Sequence, residues 1–103
     1  MIGQKKIDAI KNKIVNAVSP ETIILFGSYA KGEHTEESDL DIVVIWDTDF
    51  NPHKRNLFLS RLFPGRDFSL DIFAFTRGEA EKLQNVKGTI VYEAFHHGKV
   101  IYV

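Results

Sequence analysis

The sequence predicts an α/β or α+β fold, in which one small mixed β-sheet is backed by helices. Helical and strand-like patterns alternate along the chain, and one strand-like run, residues 39–46, is apolar on both faces in its outer half. The chain has 103 residues, which is the length of one domain. We therefore predict a single domain that spans residues 1–103.

The first half of the chain predicts a helix followed by two strands. Apolar residues recur at helical spacing between residues 7 and 18, and Ser19-Pro20 ends this pattern. Residues 22–26 are a short apolar run rich in β-branched side chains, which is typical of a buried strand. Residues 27–38 predict a turn and a polar loop, and residues 39–46 predict the second strand.

A second long helix and a third strand are expected in the middle of the chain. Asn51-Pro52 fits an N-cap and a first helical residue, and apolar side chains then recur at helical spacing until Pro64-Gly65. Residues 68–75 alternate as a strand does.

The end of the chain predicts two shorter helices and an edge strand. A capping-box pattern that starts at Thr76 predicts a helix over residues 78–86. Another helical stripe begins at Ile90, and Gly98 suits the C′ position after it. Residues 100–103 predict a final strand at the edge of the sheet.

Composition and charge exclude several classes of protein. Hydrophobic residues make up 44% and charged residues 26% of the chain, as in a folded domain. The formal net charge of −1 argues against stable binding to nucleic acid, and the apolar runs are too short for a membrane span. The absence of cysteine excludes disulfides and thiolate zinc sites. We expect a cytoplasmic protein with neither a membrane nor a nucleic acid as its partner.

Two aspartates, Asp39 and Asp41, are separated by one residue in the predicted second strand. Alternate side chains of a strand leave the same face, so these carboxylates would project together from Cα atoms about 6.6 Å apart. Two negative charges about 4 Å apart repel by roughly 4 kcal/mol at an effective dielectric of about 20, so the pair needs a shared proton or a cation. Oxygen ligands without nearby histidine or cysteine favour Mg²⁺ or Mn²⁺. A solvated Asp-x-Asp without a ligand remains open.

The turn before these aspartates has the features of a phosphate-binding turn. Gly27 follows an apolar strand and Ser28 opens the next segment, where backbone N–H groups and a hydroxyl can meet an anion. A Walker-type P-loop is rejected because Glu33-His34 stands where Lys-Ser/Thr is required. Lys31 either neutralises a phosphate or is a solvated loop lysine.

Asp71 is the third candidate, because it interrupts an otherwise apolar strand. An ionised carboxylate among apolar side chains needs a cation or hydrogen-bond donors. If its strand neighbours that of Asp41, three carboxylates face the Gly27 turn, which is the arrangement of two-metal phosphoryl chemistry.

These motifs together resemble the nucleotidyltransferase superfamily typified by DNA polymerase β. The shared order is Gly-Ser, a basic residue and Gly, a polar loop, Ser-Asp-x-Asp, and an aspartate on a later strand. The chain looks like the minimal nucleotidyltransferase branch, which implies a polymerase β-like fold. The resemblance implies that Asp39, Asp41 and Asp71 are catalytic and bind two Mg²⁺ ions. It also implies nucleotide binding by five residues: Gly27, Ser28, Lys31, Gly32 and Ser38.

Domains of this branch resemble antitoxins of HEPN-type toxins, which are helical proteins. The resemblance therefore implies Mg²⁺-dependent transfer of a nucleoside monophosphate, AMP from ATP, to a hydroxyl of such a partner. Mn²⁺ and other nucleoside triphosphates remain open. One alternative is a non-catalytic module that masks the HEPN partner. Another is a small-molecule nucleotidyltransferase of the antibiotic-modifying type, for which a homodimer would have to complete the acceptor pocket.

Overall fold

The computed structural model describes residues 2–103, which form five helices and four strands. In chain order the elements are α1 (Gln4–Val18), β1 (Thr22–Phe26), α2 (Ser28–Lys31), β2 (Leu40–Ile45), α3 (Pro52–Ser60), β3 (Leu70–Phe75), α4 (Arg77–Leu83), α5 (Ile90–His97) and β4 (Lys99–Tyr102). The strands form one sheet in the order β3-β2-β1-β4. β1 is antiparallel to both of its neighbours, whereas β2 and β3 are parallel. The predicted mixed sheet is confirmed.

Helices cover both faces of the sheet and create two cores. The first core lies against α1 and α3 and contains Leu40 and Ile42 of β2. The second lies against α4 and α5 and contains Val43 and Ile45. Side chains of β2 therefore alternate between two buried faces, as its apolar sequence predicts.

Helices α3 and α4 begin directly after the capping residues that the sequence predicts. The Asn51 side chain accepts a hydrogen bond of 2.9 Å from the backbone N–H of Lys54 at the start of α3. Thr76 and Glu79 form the reciprocal capping box that precedes α4. None of the helices within residues 2–103 is both long enough and apolar enough to cross a bilayer.

Two predicted strands begin later than expected: β2 begins at Leu40 instead of residue 39, and β3 begins at Leu70 instead of residue 68. The parallel pairing of β2 with β3 begins where Leu40 lies opposite Leu70, and the Leu40 N–H donates to the Ser69 carbonyl over 2.9 Å. Asp39 therefore precedes β2 instead of lying in it.

Two predicted helices end earlier than expected. α3 ends at Ser60, and the N–H groups of Leu62 and Phe63 then bond to carbonyls three residues earlier, each over 3.2 Å. This tighter turn precedes Pro64, which disfavours helical geometry in the residue before it. α4 ends at Leu83 in a similar turn.

Gly98 follows α5 as predicted, but for a different reason. Its φ of −90° and ψ of 179° are extended, not left-handed. A Cβ atom added there would collide with the Ala94 carbonyl and lie 2.7 Å from the Ile24 side chain. Gly98 thus lets α5 pack closely against β1, and β4 then forms the predicted edge strand.

Candidate active site

The aspartates meet at one end of the sheet. Because β1 is antiparallel to β2, the last residue of β1 lies at the same end of the sheet as the first residues of β2 and β3. Phe26 is opposite Asp41, and Asp41 is opposite Asp71. The structure thus places these two carboxylates side by side on neighbouring strands.

Both carboxylates belong to the sheet face that α4 and α5 cover. Asp41 and Asp71 are each two residues before Val43 and Phe73 on their strands, so they project from the same face of the sheet as these two side chains, which pack into the second core. Asp41 is half-buried. Burial, the negative charges of Asp71 and Asp39 and a hydrogen bond with Asp71 together raise the pKa of Asp41 to about 6. The pair therefore carries repulsion that a cation or a shared proton relieves.

Asp71 is exposed, which differs from the expectation that apolar side chains enclose it. β3 is an edge strand of the sheet, and only its alternate residues Leu70, Ile72 and Ala74 are buried. The carboxylate of Asp71 can therefore be reached from solvent.

Gly27 allows the chain to pass directly over Asp41. Its φ of 73° and ψ of −154° belong to a region that only glycine adopts readily. A Cβ atom added to Gly27 would lie 2.5 Å from Oδ2 of Asp41. The turn and the carboxylate thus contact each other because residue 27 has no side chain.

The residues after Gly27 form a single helical turn. α2 has only four residues and ends at Gly32, whose φ of 72° is left-handed and whose N–H donates to the Ser28 carbonyl. Gly32 is exposed and ends α2 in the left-handed conformation that glycine adopts without strain. Ser38 lies in the following loop, where its hydroxyl accepts a hydrogen bond of 2.9 Å from the Thr35 N–H.

Asp39 is exposed in the loop before β2, yet its charge contributes to the raised pKa of Asp41. Within residues 2–103, no three His, Asp or Glu side chains are arranged as a ready-made metal site. The carboxylate pair nevertheless fits Mg²⁺, which is usually held by one or two carboxylates and completes its shell with phosphate oxygens and water. Asp41 and Asp71 would be the ligands, with Asp39 next to them.

Lys31 contacts a residue that the sequence did not single out. Its Nζ lies 3.3 Å from a carboxylate oxygen of Glu93, on the first turn of α5. Glu93 also lines a cavity of about 500 Å³, together with Phe26 and Tyr92. No local pattern links these residues to Gly27, because the packing of α5 on β1 brings them together.

Comparison with known proteins gives matches at the level of family, sequence and fold. The family described as Polymerase beta, Nucleotidyltransferase matches residues 8–103. Two Methanocaldococcus jannaschii proteins, each named a putative protein adenylyltransferase, are similar in sequence. One is 49% identical over 45 residues, which cover 44% of this chain and 43% of that protein. The other is 59% identical over 32 residues, which cover 31% and 32%. The matches thus span less than half the length of these relatives.

The fold is also found in a solved structure. The crystal structure of a putative nucleotidyltransferase from Sulfolobus solfataricus aligns with a TM-score of 0.61 and 25% sequence identity. The alignment covers 76% of this chain and 70% of that one. Because the family match covers nearly the whole chain, including all three aspartates and the Gly27 turn, the chain belongs to the polymerase beta nucleotidyltransferase family.

Proposed function

We propose that this protein transfers AMP from ATP to a hydroxyl group of another protein, in a reaction that depends on Mg²⁺. The observation that carries the proposal is the pairing of Asp41 with Asp71 directly under the Gly27 turn. The names of the two archaeal relatives support AMP as the transferred group and a protein as the acceptor.

Asp41 and Asp71 have different roles in the proposed reaction because they differ in exposure. Two Mg²⁺ ions bound at these carboxylates and Asp39 would polarise the α-phosphate and lower the pKa of the attacking hydroxyl. The acceptor oxygen attacks the α-phosphorus, the bond from that phosphorus to the pyrophosphate oxygen breaks, and pyrophosphate leaves. Asp71 accepts the hydroxyl proton, because it is the exposed member of the pair that Asp41 and Asp71 form on the sheet. Asp41, held under Gly27, keeps a fixed position.

The triphosphate lies against the turn at Gly27 and Ser28. The first N–H groups of a helical turn have no partner within the helix and can bind phosphate oxygens. α2 is too short for a large dipole, so the proposal relies on these N–H groups and on the Ser28 hydroxyl. Lys31, on the same turn, would neutralise a phosphate after leaving Glu93.

We propose that the acceptor is a helical HEPN-type partner and that this chain is its cytoplasmic antitoxin. The resemblance of the sequence to such antitoxins supports this partner. The exposure of Asp71 on an edge strand also supports it, because a second protein can approach the carboxylate there.

The test is an assay of nucleotide transfer. The purified protein, Mg²⁺ and each of the four nucleoside triphosphates are mixed with the neighbouring gene product as the candidate HEPN partner, and intact mass is measured. We expect the partner to gain one AMP with ATP, and we expect no gain with Asp71→Asn or after chelation of the metal. Asp67→Asn is the matched control, because Asp67 is exposed and pairs with Lys6 at 3.0 Å. A stable complex without modification by any triphosphate would favour masking and refute transfer.

A further inference from the structure

We propose that the cavity between the end of β1 and the start of α5 binds the nucleoside of the triphosphate donor. The cavity has a volume of about 500 Å³, and its walls include Phe26, Lys87, Ile90, Tyr92 and Glu93. This volume lies within the range of small-molecule pockets, about 300–1,000 Å³. The inference rests on the proposed function, because it takes the phosphates of the same nucleotide to lie at the Gly27 turn.

Two contacts connect the cavity to the carboxylates. Phe26, in its wall, is the cross-strand neighbour of Asp41. Glu93, also in its wall, pairs with Lys31 of the short helix after Gly27. A nucleotide with its phosphates at this turn therefore has the cavity immediately beside it.

The cavity wall has the chemistry that a nucleoside needs. Tyr92 provides aromatic surface for a base, whereas the buried ring of Phe26 contributes only its edge of the cavity wall, and each ring is held by another ring. Phe26 lies 5.9 Å from Phe73 between ring centroids, and Tyr92 stacks on His96 at 4.1 Å. The Glu93 carboxylate can accept hydrogen bonds from ribose hydroxyls, and Lys87, which also lines the cavity, provides a positive charge there when Lys31 moves to the phosphate.

A second cavity at the same end of the sheet is less suitable. It has a volume of about 290 Å³ and lies on the α1 side, where Glu36, Glu37 and Asp67 line it. These acidic groups repel a polyphosphate, and the only lysine in its wall, Lys6, is already paired with Asp67. The α5 side is also the face to which Asp41 belongs.

The test compares two aromatic residues of α5. Tyr92 lines the cavity, whereas Phe95 is 42% exposed and is not part of the wall. The affinities of α,β-methylene ATP and of inorganic tripolyphosphate are measured by calorimetry with Mg²⁺. We expect Tyr92→Ala to weaken binding of the ATP analogue by roughly tenfold to a hundredfold, the effect of losing one base–aromatic contact, without changing binding of tripolyphosphate. Tyr92→Phe and Phe95→Ala should bind the analogue as the wild type does.

A measurement on the wild type covers the case in which Tyr92→Ala does not fold. Adenosine alone should shift amide NMR signals of residues 87–93 and of Phe26, while those of Lys6 and Asp67 stay unchanged. The inference is overturned if adenosine shifts other residues or none, if the wild type binds the analogue no more tightly than tripolyphosphate, or if folded Tyr92→Ala keeps its affinity. AMP transfer in the same preparations judges the proposed function separately, since it depends on Asp71.

Discussion

Replacing Asp41 by asparagine should stabilise the metal-free protein while abolishing nucleotide transfer. Burial and the neighbouring charges of Asp71 and Asp39 raise the pKa of Asp41 to about 6. The native protein then binds more protons than the unfolded chain between about pH 4 and pH 6, so the free energy of unfolding falls as pH rises through this window. Asparagine removes the charge and with it this penalty.

The size of the effect follows from the pKa shift. Two pKa units at about 1.4 kcal/mol each set an upper limit of roughly 3 kcal/mol. Asp41 is only half-buried, so solvent screens the interaction, and we expect a gain of about 1 kcal/mol at neutral pH. Below about pH 4 the carboxyl is protonated in both states, and the gain should vanish.

The assay is urea unfolding with EDTA, followed by circular dichroism at neutral and at acidic pH. Asp67→Asn is the control, because a hydrogen bond from Lys6 lowers the pKa of Asp67, so its replacement should not stabilise the protein. With Mg²⁺ in place of EDTA, the wild type should gain more stability than Asp41→Asn, since ligands stabilise the state that binds them. A loss of stability in Asp41→Asn at neutral pH, or an equal gain at both pH values, would refute the electrostatic explanation.

Three other substitutions test the structure. Gly27→Ala should destabilise the protein by about 1–3 kcal/mol in urea and abolish transfer, because its backbone is strained for alanine and the new Cβ meets Asp41. Gly98→Ala should cost about 1–3 kcal/mol in the same assay, because its Cβ overpacks the contact between α5 and β1. Burial opposes ionisation of Glu79, but hydrogen bonds from Thr76 and Arg55 outweigh it and lower the pKa of Glu79. The stability that ionised Glu79 contributes is therefore lost as the pH falls through its lowered pKa. In acid titrations of the free energy of unfolding, Glu79→Gln should lose less stability than the wild type over that range.

The sequence predicts the parts of the site that depend on local order along the chain. Asp71 interrupts an apolar strand, where a carboxylate needs a cation or hydrogen-bond donors, and Asp41 is paired with Asp39 in an Asp-x-Asp motif. The exposure of Asp71 was not predicted, because periodicity does not show that β3 is the edge of the sheet. The start of β2 was also misplaced, since pairing with Leu70 decides that Asp39 remains in the loop.

Contacts between distant segments account for the features that the sequence did not predict. Glycine after a helix predicts a left-handed residue, yet Gly98 is extended and is required because α5 lies against Ile24. The ion pair of Lys31 with Glu93 and the cavity beside Tyr92 depend on the same packing. A single sequence contains no signal for the angle at which α5 crosses the sheet.

The rows of the sheet show that Asp41 and Asp71 occupy positions where apolar residues would serve the fold better. On the face under α4 and α5, Val43 lies beside Phe73, and this row belongs to the second core. Two residues nearer the site end, the equivalent positions are Asp41 and Asp71, next to the buried ring of Phe26. Apolar residues there would extend the core. The two carboxylates instead repel each other, which raises the pKa of Asp41 and lowers the free energy of unfolding at neutral pH. Natural sequences break local rules mainly at functional sites, and this row does so where the turn at Gly27, the cavity and the sheet meet.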